Sequence, residues 1–381
     1  MSLADTKKIT VKSLVDLLNA KGVSLDDIGR IRSVKAWQGF YKDNEGDAHT
    51  VDMSGIEFIP GWEDGPEWPV IDKAKPVKIT PRKIAKPKGD TKSVFVFPDT
   101  QIGYWEHNGN LIPMHDTGAI DVATQMMWDA NPTHVGFAGD TIDLADFSTK
   151  FMREPTLQYL TQPALDFAHK WLSICRAGAP HADMDMMEGN HDARLISYII
   201  GNAQAAFGLR RADTTPESWP VLSMPYLLRM DELGLNYLEG FPAAMRWYRD
   251  DLVLEHGKSV NTKSLAKKSA ISRIMGHNHR LEVQSHTIQT GRDSIARTLT
   301  FATGTLSRVD GAVPSFGSGT DSSGRPVRNV EDWAQGCTLI SYDPEPGGPI
   351  TYEIMPISDG VGMFRGERYQ AGKWFDPVEP L

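Results

Sequence analysis

Five short segments gather the residues best suited to chemistry: Asp99-Thr-Gln101, Gly139-Asp-Thr-Ile-Asp143, Gly189-Asn-His-Asp192, His256-Gly257 and Gly276-His-Asn-His279. Each follows an apolar, strand-like run. Together they bring carboxylates, amides and imidazoles to one place, which is what a two-metal phosphoester-cleaving site requires. Two divalent ions about 3.5–4 Å apart need a carboxylate between them and separate donors on each flank. Asp140 suits the bridge, because Gly139 lets the chain turn sharply at a strand end. Asp143, three residues on, is expected to orient Asp140 or a neighbouring loop. Asn190 offers a neutral amide oxygen, which holds a cation without repelling a phosphate. His191 cannot easily share that ion and is free to protonate a leaving alkoxide, with Asp192 near enough to orient it. His256 and the pair His277/His279 complete the donors. In an extended segment alternate residues face one side, so the last two imidazoles can serve one ion each. Arg194 and Lys258, with Arg210 and Arg211, lie near these segments and could grip a phosphate, although an ordinary surface charge is the simpler reading of each. Gly-Asp-x-x-Asp alone is more often a turn, and a lone histidine at a strand end is more often structural. Five such segments in this order point to a metal centre.

The elements that must position these residues can be read from the pattern of apolar runs. From Ser93 onward the chain alternates strand and helix: strands at 94–97, 134–138 and 183–187, with helices from Asp116 or Thr117 to about Ala130, from about Thr156 to Arg176, and after Asn190 to about Ile200. Residues 201–231 read as broken helical excursions. Consecutive strands are expected at 235–238, 246–248, 252–255, 273–275, 281–288, 296–302, 337–342 and 351–355, and the Gly/Ser-rich 310–326 as an exposed loop. Strand–helix alternation followed by runs of strands implies an α/β fold with stacked sheets and helices outside. In such sheets reactive groups gather beyond the carboxyl ends of the strands.

The N-terminal part reads differently. Residues 10–21 and 24–31 have helical spacing, and 36–41 and 50–53 flank a turn at Asp43–Asp47, so residues 1–70 are expected to form a small helix-turn-helix or winged module. Such a module recognises DNA or a partner, or merely packs as an appendage. It holds 8 Lys/Arg against 12 Asp/Glu, which favours the appendage. Residues 71–92 carry 8 Lys/Arg against 2 Asp/Glu, are spaced by prolines and read as a semi-extended basic linker before a domain over 93–381. The net charge of −9 over 381 residues argues against indiscriminate binding of nucleic acid by the whole surface. Cys175 and Cys337 fall in a helical and a strand-like apolar pattern, so core positions in a reducing cytosol are expected. No run reaches the length of a membrane span and no signal-peptide core is present, which predicts a cytoplasmic protein without a membrane partner.

These segments resemble the calcineurin-like metallophosphoesterase superfamily, whose order is Asp-x-His, Gly-Asp-x-x-Asp, Gly-Asn-His-Asp/Glu, a lone His, then Gly-His-x-His. The resemblance covers roughly residues 93–305. It implies a four-layer α/β/β/α sandwich, with Asp99, Asp140 and His279 on one ion, Asp140, Asn190, His256 and His277 on the second, and His191 as the acid. One departure stands out: Gln101 occupies the position where the family usually has histidine. An amide oxygen is a harder, weaker ligand than imidazole, so the first site would lose affinity and lean towards Mn²⁺, with Fe, Zn or Mg as other occupants. Otherwise Gln101 orients a metal-bound water. The arrangement, including Glu331–Gly336, is similar to bacteriophage-encoded members, which would place the protein in a bacterial host's cytoplasm.

Three functions follow from the resemblance. The first is a nuclease on DNA, akin to the DNA-repair exonucleases of the superfamily, suggested by the basic linker and by Tyr104, Trp105 and Trp219 as base-stacking surfaces. The second is a phosphodiesterase for cyclic or other small nucleotides, which needs no basic groove. The third is a non-catalytic binding module, against which the retention of the motif residues argues.

Overall fold

A computed structural model describes residues 28–42, 47–60, 79–83, 89–107, 110–148, 160–215, 218–311, 313 and 332–378. The chain divides into two compact units, Met1–Val77 and Lys78–Leu381.

In the first unit, strand β1 (Ile28–Lys42) pairs antiparallel with β2 (Ala48–Pro60), from Ile28 opposite Pro60 to Lys42 opposite Ala48. This hairpin is longer than the segments expected for it. It also takes residues 28–31, where the end of a short helix was expected. Ile28, Ile31, Val34, Trp37, Phe40 and Tyr41 are β-branched or aromatic, a content that favours a strand over a helix turn. The helix expected over 10–21 lies outside the described residues, as does most of the loop at 310–326.

The second unit is a mixed α/β structure built on two mixed sheets. The larger sheet has eight strands. One half of it is β3 (Lys92–Phe97), β6 (His134–Phe137), β7 (Asp183–Met187) and β8 (Leu235–Leu238), all parallel, with β8 at the edge. Beside β3 an antiparallel run continues through β14 (Gly336–Tyr342), β15 (Ile350–Ser358), β16 (Val361–Phe364) and β17 (Glu367–Gln370). The five-stranded sheet has β10 (Leu252–Glu255), β11 (Ser272–Met275) and β13 (Ile295–Thr303) in parallel. Antiparallel β9 (Arg246–Arg249) and β12 (Leu281–Gln289) form its edges. A small hairpin, β4 (Tyr104–His107) with β5 (Asn110–Pro113), stands apart.

Alternation along β3 explains how the layers join. Val94 and Val96 enter a core cluster with Leu252 and Leu254 of β10, Ile274 of β11 and Phe301 of β13, so one face of the large sheet packs on the small one. Phe95 and Phe97 enter the other cluster with helix α1 (Thr117–Ala130) and helix α2 (Thr161–Gly178). A strand buried on both faces reads as a continuous apolar run, and Val94-Phe-Val-Phe97 does. Asp116 caps α1 through a bond from the Ala119 amide at 2.9 Å. On α2, Ala164, Leu165, Ala168, Trp171, Leu172 and Cys175 are buried at helical spacing. Cys175 and Cys337 are free and buried, and burial pushes both thiols well above their ordinary range. Part of the expected linker belongs to this unit: Ile79 packs on the helix-side core, and Arg82 donates to Trp128 O at 2.8 Å.

Trp171 joins helix to sheet. Its ring stands edge-on to Phe97 and Phe137 at 5.2 and 5.3 Å, and Nε1 donates to Thr124 Oγ1 at 2.9 Å. Trp171→Ala is expected to destabilise the unit by about 3–5 kcal/mol. A denaturant midpoint unchanged from wild type would show that this ring does not carry the junction.

His115 makes stability depend on pH. It is fully buried, its Nδ1 lies 3.1 Å from Gly103 O, and its Nε2 has no partner among the described residues. Burial, helped by the charge of Arg308, lowers its pKa to about 3. The unfolded chain takes up this proton near pH 6.5 and the folded chain does not. Stability is therefore expected to fall as pH drops from about 6.5 towards 3, by roughly 5 kcal/mol at most from this group. His115→Phe should flatten that slope in urea titrations run across the range, and an unaltered slope would place its origin elsewhere.

Candidate metal centre

The five motif segments meet at the carboxyl ends of five parallel strands. Asp99 follows β3, Asp140 follows β6, Asn190 follows β7, His256 follows β10 and His277 follows β11. The register sets Phe97 beside Phe137 and Phe137 beside Met186, so the three loops of the large sheet leave at one level.

The group is assembled by close backbone approach. Gly139 has φ +94 and Asp140 φ +47, so the chain doubles back immediately after β6. A Cβ on Gly189 would lie 2.1 Å from Asp140 Oδ1 and 2.2 Å from Asp140 N, which excludes a side chain at Gly189. With that room free, Asp140 Oδ1 accepts from the His191 amide at 2.7 Å. Asp140 Oδ2 faces His256 Nε2 at 3.4 Å and His191 Nε2 at 3.7 Å.

Ligand atoms of Asp140, His256 and His277 lie within 4.8 Å of one another. Asn190 Oδ1 sits between the two rings, 3.1 Å from His256 Nε2 and 2.8 Å from His277 Nδ1. The His256 Nδ1–H donates to Ala138 O at 2.8 Å, which leaves Nε2 facing the centre, where it carries a proton or, on losing it, binds an ion. Asp140 Oδ2, Asn190 Oδ1 and His256 Nε2 are then three acceptors facing one another, an arrangement that needs a proton or a cation. Neighbouring donors around an ion with bonds of about 2.0–2.1 Å in octahedral geometry lie roughly 3 Å apart, and the 3.1 and 2.8 Å separations about Asn190 Oδ1 match. The donor set fits a divalent ion.

The second half of the group is Asp99, Gln101 and His279. His279 Nε2 lies 3.0 Å from Asp99 Oδ2 and 3.4 Å from Gln101 Nε2. Asp99 also accepts from the His277 amide at 3.1 and 3.0 Å. His277 and His279 are not in an extended segment: they have φ +72 and +56. Two left-handed turns, rather than strand alternation, direct one imidazole to Asn190 and the other to Asp99. Asn278 between them donates to Thr262 Oγ1 at 2.8 Å.

Electrostatics follows the same plan. Burial pushes the Asp140 carboxyl up, but His191 and His256 overcome it and hold it well below the usual carboxylate range. Burial alone would lower His256, and the Asp140 carboxylate reverses this and raises it to about 10. Burial and the neighbouring His256 lower His277, which keeps it neutral.

Asp192 does not orient His191. Its carboxylate accepts from the amides of Gly189 at 3.0 Å, Ile142 at 3.1 Å and Thr141 at 3.3 Å, lacing two site loops together. Burial and the charge of Asp140 push its pKa up to about 7. The orienting role falls to Asp143, whose Oδ1 accepts from His191 Nδ1 at 2.7 Å. Only Thr141 and Ile142 separate Asp143 from Asp140, and the turn they make brings both carboxylates to one ring. Arg194 supports the same pair, with Nη2 3.0 Å from His191 Nε2 and Nη1 bonded to Asp143 O.

The other cations are placed less centrally. Lys258 is exposed, two residues beyond His256. Arg210 staples its own loop, donating to Ser218 O at 2.7 Å and Gly208 O at 2.9 Å. Tyr104 packs edge-on against His115, and Trp219 packs against Tyr237. Among the described residues, the aromatic rings that meet the centre are Phe241, 5.6 Å from His256, and Trp333, 4.2 Å from His279. Trp333 falls in the Glu331–Gly336 stretch singled out in the sequence, whereas nothing local to Phe241 marked it. No family model matches the chain and no curated protein matches it, so the functional reading rests on this geometry and on the order of the motifs.

Proposed function

We propose that the second unit is a metal-dependent phosphodiesterase, a hydrolase of ester bonds, built as the four-layer α/β/β/α sandwich of the calcineurin-like metallophosphoesterases and acting on DNA. The observation that carries the reaction class is the convergence of Asp140, His256 and His277 within 4.8 Å, with the Asn190 amide oxygen against both rings. Asp140, Asn190, His256 and His277 would hold one ion, and Asp99, Asp140 and His279 belong to the other. Two divalent ions, Mn²⁺ before Fe, Zn or Mg, would supply Lewis-acid polarisation of the phosphoryl group and a nucleophile at neutral pH. The chain supplies the rest. Asp143 holds His191 with Nδ1 engaged, so Nε2 is the atom that carries a proton to the leaving oxygen. Burial opposes the charge on His191, yet Asp140 and Asp143 raise its pKa, which favours the protonated acid. A phosphate bound by the Arg194 guanidinium would draw it from His191 Nε2 and free that nitrogen for the transfer.

DNA as substrate rests on the basic run at 71–92 and on the two aromatic rings beside the centre, which suit stacking of bases. The test is a panel of single- and double-stranded DNA, RNA and cyclic nucleotides with Mn²⁺ beside the Asp140→Ala protein. Preference for a mononucleotide would turn the reading to a small-nucleotide phosphodiesterase. Absence of turnover on every substrate would leave a binding module.

A further inference from the structure

Gln101 carries two local costs. It is 3% exposed, and its Oε1 has no hydrogen-bond partner among the described residues. A buried acceptor left unpaired costs about 1–3 kcal/mol. Its backbone lies at φ +45, a conformation uncommon for residues other than glycine. A packing role explains neither cost, since an apolar residue would fill the same place without an orphaned oxygen. The residue is nevertheless firmly located. Its amide donates to Asp140 O at 2.9 Å, and its side-chain nitrogen lies 3.4 Å from His279 Nε2, itself 3.0 Å from Asp99 Oδ2. An unsatisfied oxygen on a side chain held between His279 and the Asp140 loop has the chemistry of a ligand waiting for a cation.

We propose that Gln101 Oε1 is a metal ligand and that it makes the two halves of the centre unequal, one retaining its ion and the other exchanging Mn²⁺ or Mg²⁺ with solution. The proposal rests on the two-ion reading and deepens it. Asp140, Asn190, His256 and His277 give two oxygens and two imidazoles. Asp99, Gln101, Asp140 and His279 give three oxygens and one imidazole. Imidazole-rich sites bind late first-row ions tightly, whereas carboxylate and carbonyl oxygens suit Mg²⁺ and Mn²⁺. A neutral amide is also the weakest donor in either set. An amide oxygen where an imidazole could stand leaves the Gln101 half one strong donor short, so that half fills only as free Mn²⁺ rises.

The experiment is titration of Mn²⁺ into the chelator-stripped full chain by calorimetry, followed by low-temperature electron paramagnetic resonance. Wild type should show two binding events differing at least about tenfold in Kd, and a coupled two-manganese signal at saturation. Gln101→Met keeps length and volume but removes the oxygen. It should leave the tight event unchanged, weaken the other by about ten- to a hundredfold and abolish the coupled signal, on the scale seen when metal-site support is removed. Gln101→Glu restores an oxygen with charge and should strengthen the weak event. Circular dichroism establishes that each variant is folded, and if the Met variant is not, the Glu variant decides. Wild-type binding of both ions by Gln101→Met, or a weak event that Gln101→Glu leaves unmoved, overturns the proposal. Two ions retained by Asp140→Ala, or none bound by wild type, would instead overturn the two-ion reading.

Discussion

Asp140→Ala is expected to release the ions and to lower Mn²⁺-dependent hydrolysis of bis-p-nitrophenyl phosphate about a thousandfold or more. Lewis-acid stabilisation contributes several kcal/mol to the transition state, and about 1.4 kcal/mol is a factor of ten. Asp140 is the one carboxylate in the tight Asp140/His256/His277 group, so nothing else there neutralises a bound cation. It is also structural, since Oδ1 accepts the His191 amide at 2.7 Å. Asp140→Asn separates these roles: it can still accept that amide bond but lacks the charge. If charge is what matters, the Asn protein should remain folded and lose both metal and turnover. Turnover above a tenth of wild type in Asp140→Ala would falsify the metal-centred reading.

The legibility of this chain divides along physical lines. The strand-end residues could be read because three things coincide at each: an apolar run, a residue able to bind a metal, and a fixed order along the chain. Asp99, Asp140, Asn190, His256 and His277 all stand at the carboxyl ends of parallel strands. The roles of Asp143 and Asp192 could not be read, because adjacency in sequence says little about which carboxylate meets an imidazole. Asp192 is next to His191, yet a helical turn sends its side chain back to the amides of Gly189, Thr141 and Ile142. Asp143, forty-eight positions away, is the partner. The turn at His277–His279 was misread for a similar reason. Alternation assumes extended backbone, and these histidines take left-handed conformations that only the surrounding contacts select. At the other end, residues 28–31 combine helical spacing with strand-forming side chains, and pairing with Phe58–Pro60 settled the competition.

Asp143, not Asp192, holds the His191 ring. His191→Gln should keep both ions, because His191 is not needed as a ligand, and should lose about 10²–10⁴-fold in rate on substrates with a poor leaving group. The loss should be uneven. An alkoxide leaving from DNA needs a proton, whereas p-nitrophenolate leaves readily without one. Turnover of bis-p-nitrophenyl phosphate is therefore expected to fall by less than about tenfold while DNA cleavage collapses. Asp143→Asn should reproduce the pattern more mildly, since Asp143 acts through the ring it holds at 2.7 Å. Asp192→Asn should not: it loosens the loops joined at Gly189 and Ile142, and so should reduce both substrates and metal content together. Equal losses on the two leaving groups in His191→Gln, or an ion missing from its metal analysis, would remove His191 from the acid's place and return it to the ligand shell.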